Sequence, residues 1–212
     1  MAEPIKHILL IRFSSLGDVA MTVPVISVFS KSYPEVKISV LTKEQYAPLF
    51  SHLTGVEVIY VSFQKGIRGL ISLFSLAKKI KTLEIDSIAD LHNVLRTKLL
   101  KLLLPGLNFS SLNKGRSEKR RLIKGKVFAP LKSTLERYAD VIRNLDFKLL
   151  LSDYYIKKPL ALSKEIQYQI SDFDKPMIGI APFAAFKSKM YPLQQMKRVI
   201  SSLSKNYFIL LF

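Results

Sequence analysis

The sequence predicts an α/β fold built on parallel sheets, and three observations carry that expectation. Short apolar runs alternate with longer amphipathic stretches, the order expected of βαβ units. The runs are continuously apolar instead of alternating polar and apolar, which fits strands covered on both faces. After a change of character near residue 113 the same pattern begins again, so a second unit of the same kind is expected.

Taken in order, His7–Phe13 (HILLIRF) reads as the first buried strand, Val36–Thr42 as the second and Val56–Ser62 as the third. Ser87–His92 is the fourth, and Phe109–Asn113 a short fifth. Helical spacing occupies the intervals at Gly17–Ser32, Gln45–Leu53, Gly69–Leu83 and Val94–Leu104. Lys114–Lys126 (KGRSEKRRLIKGK) is dense in positive charge, and Lys132–Leu145 is an amphipathic helix. Leu149–Leu162, punctuated by Pro159, is the expected crossover, giving one domain at 1–155 and another at 156–212. The second holds a helix (Ser163–Phe173), a strand (Met177–Phe183), a helix opened by Pro192 (Pro192–Lys205) and an apolar strand (Tyr207–Phe212). A chain that stops in a buried parallel strand lacks the connection completing the next unit, so this second domain is expected to be incomplete.

Composition narrows the partners. The 212 residues carry 33 Lys plus Arg against 16 Asp plus Glu, a formal charge of +17. That excess points to anionic partners: nucleic acid, an anionic membrane surface or phosphorylated small molecules. With 49% hydrophobic and 23% charged residues the chain is globular, not disordered. The absence of cysteine excludes a disulfide scaffold, a thiolate metal site and a Cys nucleophile, and fits a reducing cytoplasm. His7, His52 and His92 lack metal-ligand spacing, so no metal site is expected. No uncharged apolar run reaches membrane-spanning length, and the first residues lack signal-peptide features. Nucleic acid is disfavoured as a partner, because no helix-turn-helix, RRM or zinc pattern appears and the basic residues do not interleave with aromatics.

The strongest local signal is Arg12-Phe13-Ser14-Ser15-Leu16-Gly17-Asp18, which follows the first strand and opens a helix. Open α/β sheets bind ligands at the carboxyl ends of their strands. Ser14, Ser15 and Gly17 make a tight turn whose backbone N–H groups suit an anion. Asp18 is either the cap of that helix or a carboxylate aimed into a cleft as general base. The loop is neither G-x-G-x-x-G nor a P-loop, so a dinucleotide site is not supported.

On these residues the chain resembles the lipopolysaccharide heptosyltransferases, glycosyltransferase family 9. Ile8–Ile26 (ILLIRFSSLGDVAMTVPVI) is similar to the family's opening strand, Arg, Ser-Ser-Leu-Gly-Asp loop and Pro-containing helix. Asp90-Leu91-His92-Asn93-Val94-Leu95-Arg96-Thr97 resembles its Asp-Leu-x-x-x-x-Arg-Ser segment, and Leu135-Glu136-Arg137-Tyr138 a stretch late in its first domain. Gly179-Ile180-Ala181-Pro182 followed by Lys189-Met190-Tyr191-Pro192 resembles its Pro-Gly-Ala and Lys-x-Trp-Pro elements. The sequence departs from the family where Phe183 replaces Gly, Ala184 and Ala185 replace Ser or Thr, and Tyr191 replaces Trp.

The resemblance implies a GT-B fold, two Rossmann-like domains facing a cleft. It implies inverting, metal-independent transfer from a nucleotide sugar, ADP-heptose in the best-known members. The implied acceptor is the phosphorylated lipopolysaccharide core on lipid A, met at the cytoplasmic surface of the inner membrane. No cofactor is implied. Asp18 matches the base, and Lys189 the lysine on the donor diphosphate, with Lys187 as its competitor. Ser14, Ser15 and Gly17 join the donor set. Arg96 either grips an acceptor carboxylate or phosphate, or pairs with Asp90. His92 lines the cleft or is a structural histidine. Lys114, Arg116, Lys119, Arg120, Arg121, Lys124 and Lys126 either form a solvated face or attract the phosphorylated acceptor, with Arg116, Lys119 and Arg120 taken as the acceptor-binding residues. Leu99–Leu104, with Lys98 and Lys101, reads as core or as a peripheral membrane face. The rival to an enzyme is a non-catalytic fragment that binds an anionic glycan or lipid head group. A chain ending at Phe212 is expected to be inactive alone, with part of its donor domain absent.

Overall fold

The structure, a computed structural model, describes residues 5–62, 67–153, 162–171, 175–184 and 186–212. Outside these lie most of the expected crossover with Pro159, the end of the helix expected to reach Phe173, and Ala185. The chain divides into two compact units, Met1–Ile156 and Lys157–Phe212.

The first unit is built on a five-stranded parallel sheet: β1 (His7–Ile11), β2 (Lys37–Lys43), β3 (Val56–Val61), β4 (Ser87–Asp90) and β5 (Asn108–Ser111). The spatial order is β3-β2-β1-β4-β5. Sequence order therefore reverses between β1 and β4, which lie side by side with Ile11 opposite Asp90. This is the topological switch point, where an open α/β sheet leaves a crevice at its carboxyl edge.

β1 shows why its sequence is apolar without alternation. Ile8 and Leu10 enter one core, with Val25, Ile26 and Phe29 of α2 (Thr22–Ser32) and Tyr138, Val141 and Ile142 of α6 (Thr134–Arg143). Leu9 and Ile11 point the other way, into a core with Leu73, Leu76 and Ile80 of α3 (Ile67–Lys81) and Leu100 of α4 (Leu95–Leu103). Successive strand residues point to opposite faces, so a strand between two helical layers must be apolar throughout.

The elements differ from the sequence expectation at identifiable points. The helix expected over Gly17–Ser32 is two, α1 (Leu16–Ala20) and α2, with Met21 between them. The segment near Gln45–Leu53 is a 3₁₀ turn, Glu44–Phe50, with Pro48 inside it lacking the N–H an α-helix needs. Within the basic run lies a helix, α5 (Arg116–Ile123), none of whose residues is buried. Leu99–Leu104 belongs mostly to the core: Leu100 and Leu104 are buried, Leu99 and Leu103 pack against them, and only Leu102 of these leucines is strongly exposed.

The second unit holds α7 (Lys164–Ile170), β6 (Met177–Ile180), α8 (Leu193–Leu203) and β7 (Phe208–Leu211). β6 and β7 pair in parallel, with Gly179 beside the ring of Phe212. Pro192 stands at the N-cap of α8.

Gly115 enters α5 in the left-handed region, at φ +61°, and a Cβ there would meet the guanidinium of Arg137. Gly115→Ala is therefore expected to destabilise the first unit by about 1–3 kcal/mol in urea unfolding. Gly125→Ala, at φ +64° but facing open space, is the control and should cost less.

Candidate functional site

The crevice at the switch point is formed by the loops that follow β1 and β4. Arg12 leaves β1 and is almost fully buried. Its Nη1 donates to the Leu91 carbonyl at 2.7 Å, bridging to the loop after β4. Its Nη2 pairs with Asp18 Oδ2 at 2.6 Å. The guanidinium carbon stands 5.7 Å from the ring centroid of Tyr138 on α6. One buried cation thus links two strand ends, a helix start and the helical layer above them.

Asp18 lies in the first turn of α1. Its Oδ2 accepts from the Ser15 hydroxyl at 3.0 Å and the Ser15 N–H at 3.3 Å, besides pairing with Arg12. Among the described residues Oδ1 takes no hydrogen bond, and the side chain is 42% exposed. The capping and cleft-facing readings of Asp18 are therefore compatible: one oxygen is held by the protein, and the other is available. Burial raises its pKa, but the Ser15 hydroxyl and Arg12 outweigh this, and the carboxyl lies below its ordinary value. The peptide between Ser14 and Ser15 is cis. Gly17 is exposed, with open space where a side chain would begin.

The loop after β4 is shaped by Asp90. This buried carboxylate accepts the backbone N–H groups of His92 and Asn93 through Oδ1, at 2.9 and 2.8 Å. Asn93 takes a positive φ of 45° and its amide donates to the Leu112 carbonyl at 2.7 Å, tying this loop to the one after β5. His92 packs edge-on against Phe13 and places Nε2 3.5 Å from Ser14 Oγ. Its buried Nδ1 has no hydrogen-bond partner among the described residues. Burial, reinforced by the positive charges of Arg12 and Lys114, pushes its pKa down to about 4, so the ring is neutral at pH 7. Arg96 stands half-buried in the first turn of α4, and its charge acts on His92 in the same direction.

Beside this crevice is an open groove of about 430 Å³, lined by Asn93, Lys98, Asn113, Lys114, Arg116 and Ser117 among others. Desolvation, then repulsion from Arg116 and Arg12, lowers the pKa of Lys114. A bound anion would relieve that crowding. Of the basic residues singled out in the sequence, the groove takes Arg116, while Lys119 and Arg120 stand exposed further along α5 and do not line it. Arg12, Asn93 and Asn113 are site residues that the sequence reading does not name as such, and Lys114 enters it only as a member of the basic run. Arg12 carried a signal, being a charged residue at the end of an otherwise apolar run. Lys114 carried none that set it apart from its basic neighbours.

Lys189 lies in the second unit, on a 3₁₀ turn, Lys187–Lys189, that precedes α8. It is exposed, with Nζ 5.6 Å from the ring centroid of Phe186. From Lys175 to Phe212 the sequence has no Asp or Glu, so the turn lies in a purely cationic segment. Among the described residues no group of three or more His, Cys, Asp or Glu side chains is arranged to hold a metal ion, and no helix is long and apolar enough to cross a membrane.

No protein-family model matches the chain, and no curated protein matches it in sequence. Solved structures do. A glycosyltransferase family 9 protein from Veillonella parvula aligns over 98% of this chain and 62% of its own, with a TM-score of 0.73 and 18% identity. The E. coli ADP-heptose lipopolysaccharide heptosyltransferase II aligns over 97% of this chain and 64% of its own, with a TM-score of 0.64 and 22% identity. The E. coli heptosyltransferase WaaC with ADP aligns over 97% of this chain and 67% of its own, with a TM-score of 0.62 and 16% identity. The chain thus has the α/β fold of the family 9 glycosyltransferases and heptosyltransferases, and spans about 62% of the length of the first of them.

His92 yields a pH prediction. Its folded pKa of about 4 lies below the ordinary 6.5, so the unfolded chain takes up the proton first as the pH falls. Its contribution to stability is full above pH 6.5 and is lost as the pH falls from there towards 4. Urea unfolding between pH 7 and 4.5 should show a decline that His92→Gln lessens. An equal decline in both proteins would refute the shift.

Proposed function

We propose that this chain carries the acceptor domain, and part of the nucleotide-sugar domain, of a glycosyltransferase of the heptosyltransferase type. In this reading a heptose or related sugar passes from a nucleotide sugar, ADP-heptose by analogy, to a phosphorylated lipopolysaccharide core on lipid A. The enzyme works at the cytoplasmic face of the inner membrane. The observation that carries the reading is the state of Asp18: a carboxylate at the switch point with Oδ2 held by Arg12 and Ser15 and Oδ1 available.

The roles follow from that state. An acceptor hydroxyl attacks the anomeric carbon as Asp18 Oδ1 takes its proton, and the bond to the nucleoside diphosphate breaks from the opposite face. A base of this kind typically contributes about 10²–10⁴-fold. Its lowered pKa keeps Asp18 ionised well below neutral pH. Ser15 and Arg12 hold the carboxylate in one orientation, and Ser14 and Gly17 complete its loop. Lys98, Lys114 and Arg116 in the groove, with Arg96 at the start of α4, supply positive charge for acceptor phosphates. His92, neutral at pH 7, adds a polar ring beside the loop of Asp18 without a further charge. Lys189 stabilises the negative charge that builds on the leaving diphosphate, work that needs no metal in this mechanism. Lys119 and Arg120 add attraction for an anionic surface and no direct contact in the groove.

Two measurements test this. In the full-length protein, Asp18→Asn should lower transfer by about 10²-fold or more while acceptor binding persists; wild-type turnover would remove Asp18 from the role of base. Lys189→Ala should weaken binding of ADP on the order of tenfold, the loss expected of one charge-assisted contact. Unchanged affinity would move the role to Lys187. Acceptor binding with no transfer in the wild-type full-length protein would favour the non-catalytic, glycan-binding reading.

A further inference from the structure

α5 lies on the surface of the first unit. No residue of the helix is buried. At 3.6 residues per turn, Lys119, Ile123, Arg116 and Arg120 fall within an arc of about 80–100°. Glu118, Arg121 and Leu122 occupy the other side, where they line a small cavity with Val127, Ala129 and Leu131. Glu118 is paired there to the buried Arg137 at 2.5 Å, which fixes which face turns outward.

The tip of the helix and the segment that follows it combine cations with apolar residues placed in water. Ile123 is 84% exposed, and Phe128, five residues on, is fully exposed. Between them come Lys124 and Lys126. From Lys114 to Lys126 the sequence carries seven Lys or Arg and one Glu, a net +6. Ile123 and Phe128 are the two most exposed large hydrophobic side chains among the described residues, and both stand within or beside the run of cations. Cations around protruding apolar side chains are the make-up of a surface that seats in the head-group region of an anionic bilayer.

We infer that the tip of α5 and the following turn, with Ile123 and Phe128 as inserted side chains and Lys119, Arg120, Lys124 and Lys126 around them, dock the first unit on an anionic lipid surface. Arg116, at the other end of the helix, lines the groove. α5 has eight residues, so the docked tip lies about 12 Å along the helix from the groove. This deepens the proposed membrane location and rests on it, but the surface is tested without turnover.

The chain has no tryptophan, so Phe128→Trp supplies a sole indole reporter. Vesicles of phosphatidylglycerol and phosphatidylcholine should shift its emission to the blue, and pure phosphatidylcholine should not. Tyr168→Trp, exposed on α7, is the control and should stay unshifted. In vesicle flotation, Ile123→Ser with Phe128→Ser should reduce binding on the order of tenfold at unchanged net charge, and Lys119→Glu with Arg120→Glu should abolish it. Circular dichroism and urea unfolding should match wild type in each variant. Vesicle binding that depends on charge but is untouched by the Ile123 and Phe128 replacements would overturn insertion, leaving electrostatic adsorption to the head groups. Failure of the Asp18 transfer test with vesicle binding intact would overturn the enzyme reading and leave this one standing.

Discussion

The first unit depends on one buried cation. Arg12 sits where β1 ends, and water is largely excluded from it. A buried guanidinium is costly unless its charge is paired. Asp18 supplies the charge, the Leu91 carbonyl takes a second donor and Tyr138 offers a ring face, while the buried Nε has no hydrogen-bond partner among the described residues. Each partner comes from a different element, so satisfying Arg12 fixes the loop after β1 against the loop after β4 and against α6. The buried Thr42 hydroxyl adds a fourth anchor by donating to the Arg12 carbonyl at 2.7 Å, which ties in β2. The same bonds that stabilise the crevice hold Asp18 in a single orientation, so stability and chemistry share one network there.

Electrostatics at the carboxyl edge then follows from an imbalance. Arg12 is neutralised by Asp18, and the cations beyond it, Lys114 and Arg116, repel one another. Burial comes first in keeping His92 neutral and in lowering the pKa of Lys114, and the neighbouring cations add to both. The cations mark a region short of negative charge. A phosphorylated ligand would supply it, and its binding would draw these values back towards normal.

Much of the fold was legible because both of its signals are local. Strand positions follow from apolar runs such as HILLI, and helix positions from the spacing of buried residues in α3, α4 and α6. The departures have physical causes that composition hides. Pro48 turns an expected helix into a 3₁₀ segment. α5 has no buried face to announce it, and one of its anchors is a salt bridge from Glu118 to a residue nineteen positions away. Within the site, Asp18 and its loop were visible as a motif beside a strand end. Asn93 was not, and Lys114 was visible only as one cation of a basic run, since their place depends on β4 lying beside β1 and β5 beside β4. Strand order is a long-range property that residue spacing does not encode.

α5 shows how a helix of poor intrinsic prospects is retained. Eight residues rich in like charges do not form a stable helix alone. Gly115 provides the left-handed entry, and its missing side chain lets Arg137 approach. Arg137 is itself buried, and donates to the Lys132 carbonyl as well as to Glu118. Leu122 and the turn to Val127 close over the apolar lining beneath. All of this holds the inner side of the helix and none of it concerns the outer side. A fold that needed only to cover its core would leave that outer side to any soluble residues. Ile123 at the end of that side, and Phe128 in the segment after the helix, are features that folding does not require. They therefore belong with the cations around them, as part of what this end of the molecule touches.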